Sequence, residues 1–522
     1  MMKRKCLYIA VFIFASLRAS LPASGQDTGK DHQNSSVFKD YKPPGPNQLI
    51  RPSDVVYQLW EGFALVREAN AGDPAAQNEL GLRYLLGEGF PVDTSRAVYW
   101  ITKAADQNMS IAEYNLGVFL NNGWGIKWNP FKAFVRFKAA AEQHLPDAEF
   151  ALGLAYTDNL TVARDWTVAY RWLKAAADQK YEPASQVLKE FVRRGIPIPS
   201  DSTQTAKAAH DTSSPGAVKS FELVYLNFGP DTTSHVSDLT LLDEAFREGG
   251  KELRKALGVS TIFEKGNQKD TNAISVIEKA ADVGSPEALV LLGRCYEKGV
   301  GMEQDRILAA EQYLRAARMD SRHALSLLLH LVREKGFPEA VESLAKKGNS
   351  DAAFVWVGLT ELGLDQRITD NQAFRLLVDA ADDNNIPALI ELGRCYYTGQ
   401  WTKPNPELGR QCWRRAVALG SREAEIRLAA AAVIADSNST GSSLAGMIDT
   451  LASASNDGSM LAQVALGYCY ENGIGVTQNT PEAVKLYRES AQRGSQTAYH
   501  ALEKMYNRLR PTDTEFRVAE NN

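Results

Sequence analysis

The residue types that most often perform catalysis are present, but none of them stands in the spacing that a catalytic site requires. Seven histidines are spread over the chain: His32, His144, His210, His235, His323, His330 and His500. None belongs to H-E-x-x-H, and the chain has neither G-x-S-x-G nor a Walker loop. Ser36–Lys39 and Ser343–Lys346 match S-x-x-K, but the companion motifs of that pattern are missing. We therefore predict that the protein is not an enzyme, with no catalytic residue, no metal site and no cofactor.

The cysteines are too few for a disulfide scaffold. Cys295, Cys395 and Cys469 each stand directly before a tyrosine within a similar stretch, so the three thiols should point the same way. A small side chain packed between helices explains this pattern. A metal-binding or reactive thiol is the alternative interpretation.

The first 25 residues have the three parts of a secretory signal. Lys3, Arg4 and Lys5 form a basic start, and the apolar run from Cys6 to Leu17 is too short to cross a bilayer comfortably. Small residues follow. We expect cleavage between Ala19 and Gly25, and a secreted or periplasmic location. An uncleaved anchor is the alternative.

Length and charge restrict the remaining classes. A chain of 522 residues exceeds what one hydrophobic core usually organises, so either several domains or a repeat array is expected. Removal of the signal takes away four basic residues and no acidic one, which changes the formal net charge from −5 to −9. A mildly acidic chain without basic blocks gives no electrostatic case for a nucleic-acid partner. We predict no transmembrane segment in the mature chain.

An internal repeat supplies the elements that position any functional side chain. Three segments align without gaps at a period of 36, from Ala75, Ile111 and Asp147. Further copies begin at Pro286, Pro387 and Leu461, weaker ones near Asp351 and Arg422, and a shortened one spans 322–348. Such a period is typical of an array of stacked supersecondary units.

Each repeat unit can be read as two antiparallel helices. In the first unit, apolar residues at three- and four-residue spacing mark both helices. Gly87 and Gly89 should end the first helix, and Asp93, Thr94 or Ser95 can cap the second. Gly81 lets the two helix backbones approach closely. A single pair cannot bury its apolar stripe, so neighbouring pairs must stack into a solenoid.

These residues resemble the Sel-one-like repeat (SLR) family, which is related to tetratricopeptide repeats. The matching stretches are AAQNELGLRYLLGEG with AVYWITKAADQN from Ala75, and AEYNLGVFLNNGWG with AFVRFKAAA from Ala112. The chain departs from the pattern at Asn159–Val162, where the glycine turn is lost, and at Leu120. The resemblance implies an all-α fold, a right-handed α/α solenoid of antiparallel helix pairs, here in two lobes.

The resemblance also implies a binding surface, because the first helix of each pair lines the concave face in the related repeats. Carried over residue by residue, this predicts the binding positions Asn78, Leu82, Tyr114, Val118, Phe150, Leu154, Arg294, Glu297, Arg394 and Tyr397. Arg294 and Arg394 share a repeat position and could receive carboxylates. The alternative is that these side chains are core between repeats, with the arginines solvated. Cysteine-rich members of the family bridge paired helices, so a disulfide between Cys395 and Cys412 is a further expectation.

Aromatic residues in the loops form a second candidate surface. Phe90, Trp124, Trp128 and Trp166 fall between the paired helices of three consecutive units. An exposed edge of such rings would suit sugars or peptides. The alternative is that each ring seals its loop against the next unit.

The sequence divides the chain into seven parts. These are a signal peptide (1–25), a flexible lead-in (26–52), an N-terminal lobe (53–194), a linker (195–216), an irregular helical insert (217–270), a C-terminal lobe (271–510) and a disordered tail (511–522). The leading functional prediction is an exported, non-catalytic scaffold for unknown protein partners. An envelope polysaccharide- or peptidoglycan-binding protein is the alternative, and a hydrolase with a site near 217–270 is the third hypothesis.

Overall fold

The fold is helical throughout the part that the computed structural model describes, namely residues 49–50, 62–193, 196, 271–299, 301–435 and 442–518. Within these ranges there is no β-strand, and the predicted all-α solenoid of helix pairs is confirmed. The predicted signal peptide and insert lie outside the described residues. So do the lead-in and the linker, apart from residues 49, 50 and 196.

The N-terminal repeats form three helix pairs between two single helices. The single helices are α1 (Gly62–Ala71) and α8 (Glu182–Arg193). The pairs are α2 (Pro74–Leu86) with α3 (Thr94–Ala105), α4 (Ser110–Asn122) with α5 (Pro130–Ala141), and α6 (Pro146–Asp158) with α7 (Trp166–Asp178). The starts of α2, α4 and α6 follow the period of 36 that the sequence predicts.

The downstream repeats form six pairs. A single helix, α9 (Thr271–Asp282), precedes them and α22 (Gln496–Asn507) follows. The pairs are α10 (Pro286–Lys298) with α11 (Arg306–Ala317), α12 (Arg322–Arg333) with α13 (Phe337–Lys346), α14 (Ser350–Glu361) with α15 (Asp370–Asp382), α16 (Ile386–Thr398) with α17 (Pro406–Ala418), α18 (Arg422–Ala435) with α19 (Ser442–Asn456), and α20 (Met460–Asn472) with α21 (Thr480–Gln492).

The chain has two compact units whose limits differ from the predicted lobes. The N-terminal unit contains the repeats up to α8 together with 480–485 and the residues from 499 onwards, and the C-terminal unit contains 271–479 and 486–498. The predicted C-terminal lobe ran without interruption to residue 510. Sequence periodicity could not show this difference, because it describes each repeat but not where the last residues pack.

The loop between paired helices is built from a left-handed residue and a cap. Gly87 ends α2 at φ 75°, and the Asp93 carboxylate accepts the Arg96 backbone N–H at 2.9 Å to cap α3. The third loop lacks the glycine, yet Asn159 takes the same left-handed position at φ 54°. Asparagine tolerates this backbone conformation better than other side chains, so the loop keeps its course.

In six of the described pairs, a glycine in the middle of the first helix faces a large side chain of the second helix. A Cβ at Gly117 would lie 2.5 Å from the Phe137 ring, and a Cβ at Gly81 would lie 2.5 Å from Ile101 and 3.0 Å from the Ala97 carbonyl oxygen. Leu173, Tyr313, Trp413 and Tyr487 occupy the same place against Gly153, Gly293, Gly393 and Gly467. The space that the missing Cβ leaves is therefore filled mainly by a side chain of the second helix, and the two backbones also come close together.

Gly81→Val and Gly117→Val are each expected to lower the free energy of unfolding by about 2–3 kcal/mol, because the added carbons overlap the second helix. Denaturant unfolding followed by circular dichroism measures this loss. Gly446, inside α19, is the matched control, since a Cβ there meets nothing within 4 Å. Gly446→Ala should stabilise the chain by about 0.5–1 kcal/mol through backbone entropy. Wild-type stability in both valine variants would contradict this account of the packing.

The tail beyond residue 510, predicted to be disordered, is folded as far as residue 518. A short 3₁₀ turn, Thr514–Phe516, places the Phe516 ring 5.2 Å from Phe131, with only 4% of the residue exposed. The Arg510 guanidinium donates to the carbonyl oxygens of Leu160 at 2.8 Å and Thr161 at 3.2 Å. The polar composition of the tail predicted disorder, but Phe516 packs on the unit and Arg510 donates to the loop that contains Leu160 and Thr161.

Candidate functional site

The residues predicted to line an open concave surface in the N-terminal unit are buried. None is more than 3% exposed in the set Asn78, Leu82, Tyr114, Val118, Phe150 and Leu154. The Tyr114 ring lies 5.5 Å from Phe137, and the Phe150 ring lies 5.4 Å from Tyr181. This corrects the prediction of an open surface, because packing between helices uses the side chains that were expected to contact a partner.

On this first-helix face, the side chain of Asn115 binds the backbone of Ile50, a residue of the same chain. The Ile50 backbone N–H donates to Asn115 Oδ1 at 2.8 Å, and Asn115 Nδ2 donates to the Ile50 carbonyl oxygen at 2.9 Å. Both peptide groups of one residue are therefore bound by one side-chain amide. Two residues of antiparallel strands exchange their hydrogen bonds in the same way, so Asn115 takes the role of a neighbouring strand.

A second asparagine holds this amide in place. Asn115 Nδ2 also donates to Asn78 Oδ1 at 3.0 Å, and both asparagines are fully buried. Asn115 thereby uses two donors and one acceptor, which fixes which end of its amide faces each group of Ile50. Asn78 Nδ2 is buried and has no hydrogen-bond partner in the structure. Since a buried donor without a partner costs free energy, Asn78 offers a place for one more carbonyl oxygen.

Asn78 and Asn115, called the asparagine pair below, hold main chain through Asn115, whose amide binds both peptide groups of Ile50. The two amides are neutral, and Asn78 orients the amide of Asn115. Backbone hydrogen bonds provide affinity for an extended peptide, and contacts of alternate side chains provide specificity. The arrangement can bind a polypeptide in extended conformation and contains no group that would change it chemically.

Sequence reasoning found one member of the asparagine pair and missed the other. Asn78 was selected by its repeat position, whereas the equivalent of Asn115 in the first unit is Glu79. The two asparagines meet only because they lie on neighbouring first helices one residue apart in register. The sequence signal that could have indicated Asn115 is its polar amide in the middle of the apolar stretch of α4.

The predicted arginine of the C-terminal unit is already paired. Arg394 contacts Glu361 at 2.6 Å and also Glu391, while Arg318 contacts Glu361 at 2.9 Å and Glu391 at 3.2 Å. Gln400 donates to Glu361 at 2.9 Å. These five residues are called the charge network below. Arg394 does receive carboxylates, as the sequence predicted, but they belong to its own chain.

The other predicted positions of this unit are also used internally. Glu297 accepts the Tyr313 hydroxyl at 2.7 Å and lies 3.5 Å from Arg294. The Tyr397 ring lies 5.2 Å from Trp413. These three side chains therefore have contacts within their own chain, and their role in partner binding stays a prediction.

Burial of Glu311 on α11 gives a pH-dependent stability. The residue is 6% exposed, Gln312 donates to it at 3.0 Å, and burial raises the pKa of its carboxyl to about 7. Ionisation then favours the unfolded state, so stability falls as the pH rises from about 4.5 to 7. Glu311→Gln is expected to stabilise the chain by about 1–3 kcal/mol at pH 8 and hardly at pH 4.

Chemical denaturation at both pH values measures this difference. Glu303→Gln, at an exposed position, is the control and should change stability little at either pH. A stabilisation by Glu311→Gln that is larger at pH 4 than at pH 8 would contradict the assignment.

The loop aromatics do not form one exposed edge. Trp128 is 3% exposed and packs on Tyr506 at 5.2 Å, whereas Trp124 is 37% exposed. Phe90 is half-buried 4.9 Å from Tyr84, and Trp166 is half-buried 5.6 Å from Phe191. The rings mainly seal their loops, which corrects the prediction of an aromatic stripe and removes the feature that favoured a glycan ligand.

The cysteines of the described residues are free thiols. Cys295, Cys395 and Cys469 are buried between helices, and Cys412 is half-buried. The predicted bridge between Cys395 and Cys412 is not formed. Burial raises the pKa of the Cys295 and Cys469 thiols to about 12, so neither is a thiolate at neutral pH.

Neither a metal-binding cluster nor a membrane-spanning helix occurs among the residues that the structure describes. Nowhere in these ranges do three or more His, Cys, Asp or Glu side chains converge as ligands for a metal ion. Among the helices placed in the structure, none combines the length and apolarity needed to cross a membrane.

The paired helices define a class of protein, the helical-repeat solenoids. The Sel1 repeat profile matches this chain six times, at residues 74–109, 110–145, 146–181, 286–321, 386–421 and 461–495. The chain therefore contains six Sel1 repeats and is a Sel1-like repeat protein. Repeats of this kind suggest a protein-interaction scaffold.

Relatives share parts of this array. The chain is 41% identical over 54 residues to the rat (Rattus norvegicus) protein DAP3-binding cell death enhancer 1, which is 10% of this chain and 11% of the relative. A Sel1 repeat protein from Oxalobacter formigenes is 32% identical, with 24% of this chain and 96% of that chain covered and a TM-score of 0.24. A protective antigen present in uropathogenic Escherichia coli strains, which displays an SLR fold, is 20% identical, with coverage of 86% and 84% and a TM-score of 0.29.

Proposed function

We propose that this protein is an exported, non-catalytic scaffold that binds an extended segment of a protein partner on the first-helix face of its N-terminal unit. The observation that supports this most is the double hydrogen bond between the Asn115 amide and the backbone of Ile50. A side chain that recognises a peptide backbone suits a partner of variable sequence. The repeats supply the neighbouring surface for side-chain selection.

Asn115→Ala is expected to reduce the recovery of partner proteins about tenfold or more. It removes two hydrogen bonds to the ligand backbone, each of which contributes about 0.5–1.5 kcal/mol. Affinity purification from the native compartment with quantitative mass spectrometry measures recovery relative to the wild-type chain. Circular dichroism and thermal melting of the same preparations establish that the variant remains folded.

Asn122→Ala is the matched control, because Asn122 lies on the same helix and donates to the Val118 carbonyl oxygen of its own turn, at 2.8 Å. It should recover partners at the wild-type level. The proposal fails if a folded Asn115→Ala chain recovers the same proteins in the same amounts as Asn122→Ala.

Export is the second part of the proposal and rests on the sequence of residues 1–25. The basic start, the short apolar run and the small residues that follow are those of a cleavable signal. N-terminal sequencing of the mature protein should find a first residue shortly after the interval from Ala19 to Gly25. A cytosolic protein that begins at Met1 would rule this part out.

A further inference from the structure

We propose that the stretch containing Leu49 and Ile50 is a built-in competitor for the asparagine pair, so that a partner peptide binds only after this stretch has left. The inference rests on the proposed function and adds regulation of the same site. It names the ligand class as an extended peptide with an apolar residue at the position of Ile50.

The contact is a tertiary one and it occupies the site completely. Ile50 and Asn115 are 65 residues apart in the sequence, so the hydrogen bonds do not arise from local chain geometry. The Oδ1 atom and both donors of Asn115 are engaged by Ile50 and Asn78. A second peptide backbone cannot bind the same amide while Ile50 is there. Occupancy by this stretch and by a partner is therefore mutually exclusive.

The strength of the contact suits a competitor that can be displaced. Two neutral hydrogen bonds contribute only about 1–3 kcal/mol in total. Attachment to the same chain compensates for this weakness, because the contact between Ile50 and Asn115 is intramolecular. Intramolecular contacts can have effective concentrations in the mM range. A partner that binds more tightly than the tethered stretch, through further side-chain contacts, would replace it.

The asparagine pair also determines which peptides can bind it. The asparagine pair carries no net charge, so it selects neither acidic nor basic peptides. It needs a residue whose N–H and carbonyl point to the same side, as in an extended strand, and whose nitrogen carries a hydrogen. Isoleucine favours extended conformations because its branched side chain fits a pleated backbone. Proline at the same position lacks the N–H and should not be bound.

Peptide binding to the full-length chain tests the proposal. The probe is a fluorescent synthetic peptide, PNQLIRPSD, with the sequence of residues 46–54. Ile50→Pro in the full chain removes the N–H that Asn115 accepts and leaves every helix residue unchanged. We expect the peptide to bind Ile50→Pro about tenfold or more tightly than the wild-type chain, because the tethered competitor is weakened. Ile50→Val, which keeps the N–H and a branched side chain, should behave as wild type.

The double variant Ile50→Pro with Asn115→Ala locates the binding site and should lose the peptide. Equal affinity of the peptide for the wild-type and Ile50→Pro chains would overturn the proposal. So would failure of Ile50→Pro to bind the peptide, or peptide binding that survives in the double variant. Each result is read by fluorescence anisotropy at equal protein concentration, after circular dichroism has shown unchanged helicity.

Partner recovery separates this inference from the proposed function. If Asn115→Ala loses partners but Ile50→Pro recovers them at the wild-type level and binds peptide no better, the site serves partners and the lead-in does not regulate it. If Ile50→Pro binds the peptide tightly while Asn115→Ala recovers every partner, the lead-in contact is real and the proposed function fails.

Discussion

Arg394→Ala is expected to lower the free energy of unfolding by about 3–5 kcal/mol, because Arg318 alone then remains to compensate two buried carboxylates. Arg394 and Arg318 together neutralise Glu361 and Glu391, whose side chains are 17% and 4% exposed. The charge network connects Glu361 of α14 and Glu391 of α16 with Arg318, which directly follows α11. Loss of the network should therefore loosen three repeat pairs. Denaturant unfolding at pH 7 measures the effect.

Arg414→Ala is the control, since Arg414 pairs with Glu407 at the surface, where both side chains are more than half exposed. Exposed pairs contribute little, and no resolvable loss of stability is expected.

Burial tends to raise the pKa of Glu361, but the charges of Arg318 and Arg394 outweigh it and lower this pKa to about 2. The stabilisation it provides is complete above about pH 4.5 and is lost as the pH falls towards 2. Glu361→Gln should remove this part of the acid sensitivity, and an unchanged acid profile would contradict the role of the network.

Phe516→Ala is expected to destabilise the chain by about 3–5 kcal/mol, the range found when a buried phenylalanine is truncated. The Phe516 ring lies 5.2 Å from Phe131 and 5.9 Å from Phe134, with edges against faces. Thermal melting and hydrogen exchange of α5 measure the loss. Exchange should accelerate there, because the ring covers that helix.

Thr512→Ala, at an exposed position of the same tail, is the control and should melt as wild type. A chain that ends after residue 510 should lose as much stability as Phe516→Ala. If both changes leave melting and exchange as they are, the tail does not belong to the folded unit.

The sequence by itself determined the class of fold, because the signals for it are local and repeated. The period of 36, the apolar spacing of both helices and the left-handed residue between them recur in every clear copy, so each unit predicts the next. The caps followed in the same way, since an aspartate or asparagine at the start of a second helix bonds to a backbone N–H three residues on. Even the third loop kept its geometry when asparagine replaced glycine.

Only the tertiary structure decided which side chains are available for binding. Position on a first helix did not distinguish an open surface from core, because exposure depends on what packs against that helix. Tyr114 and Phe150 are covered by aromatic rings, and Arg394 is neutralised by glutamates that stand 3 and 33 residues away. The asparagine pair and Ile50 come from three separate stretches of the chain, and hydrogen bonds between such distant residues leave no periodic trace in the sequence. The tail shows the same limit, since Phe516 is part of the fold only because Phe131 and Phe134 lie where it can reach them.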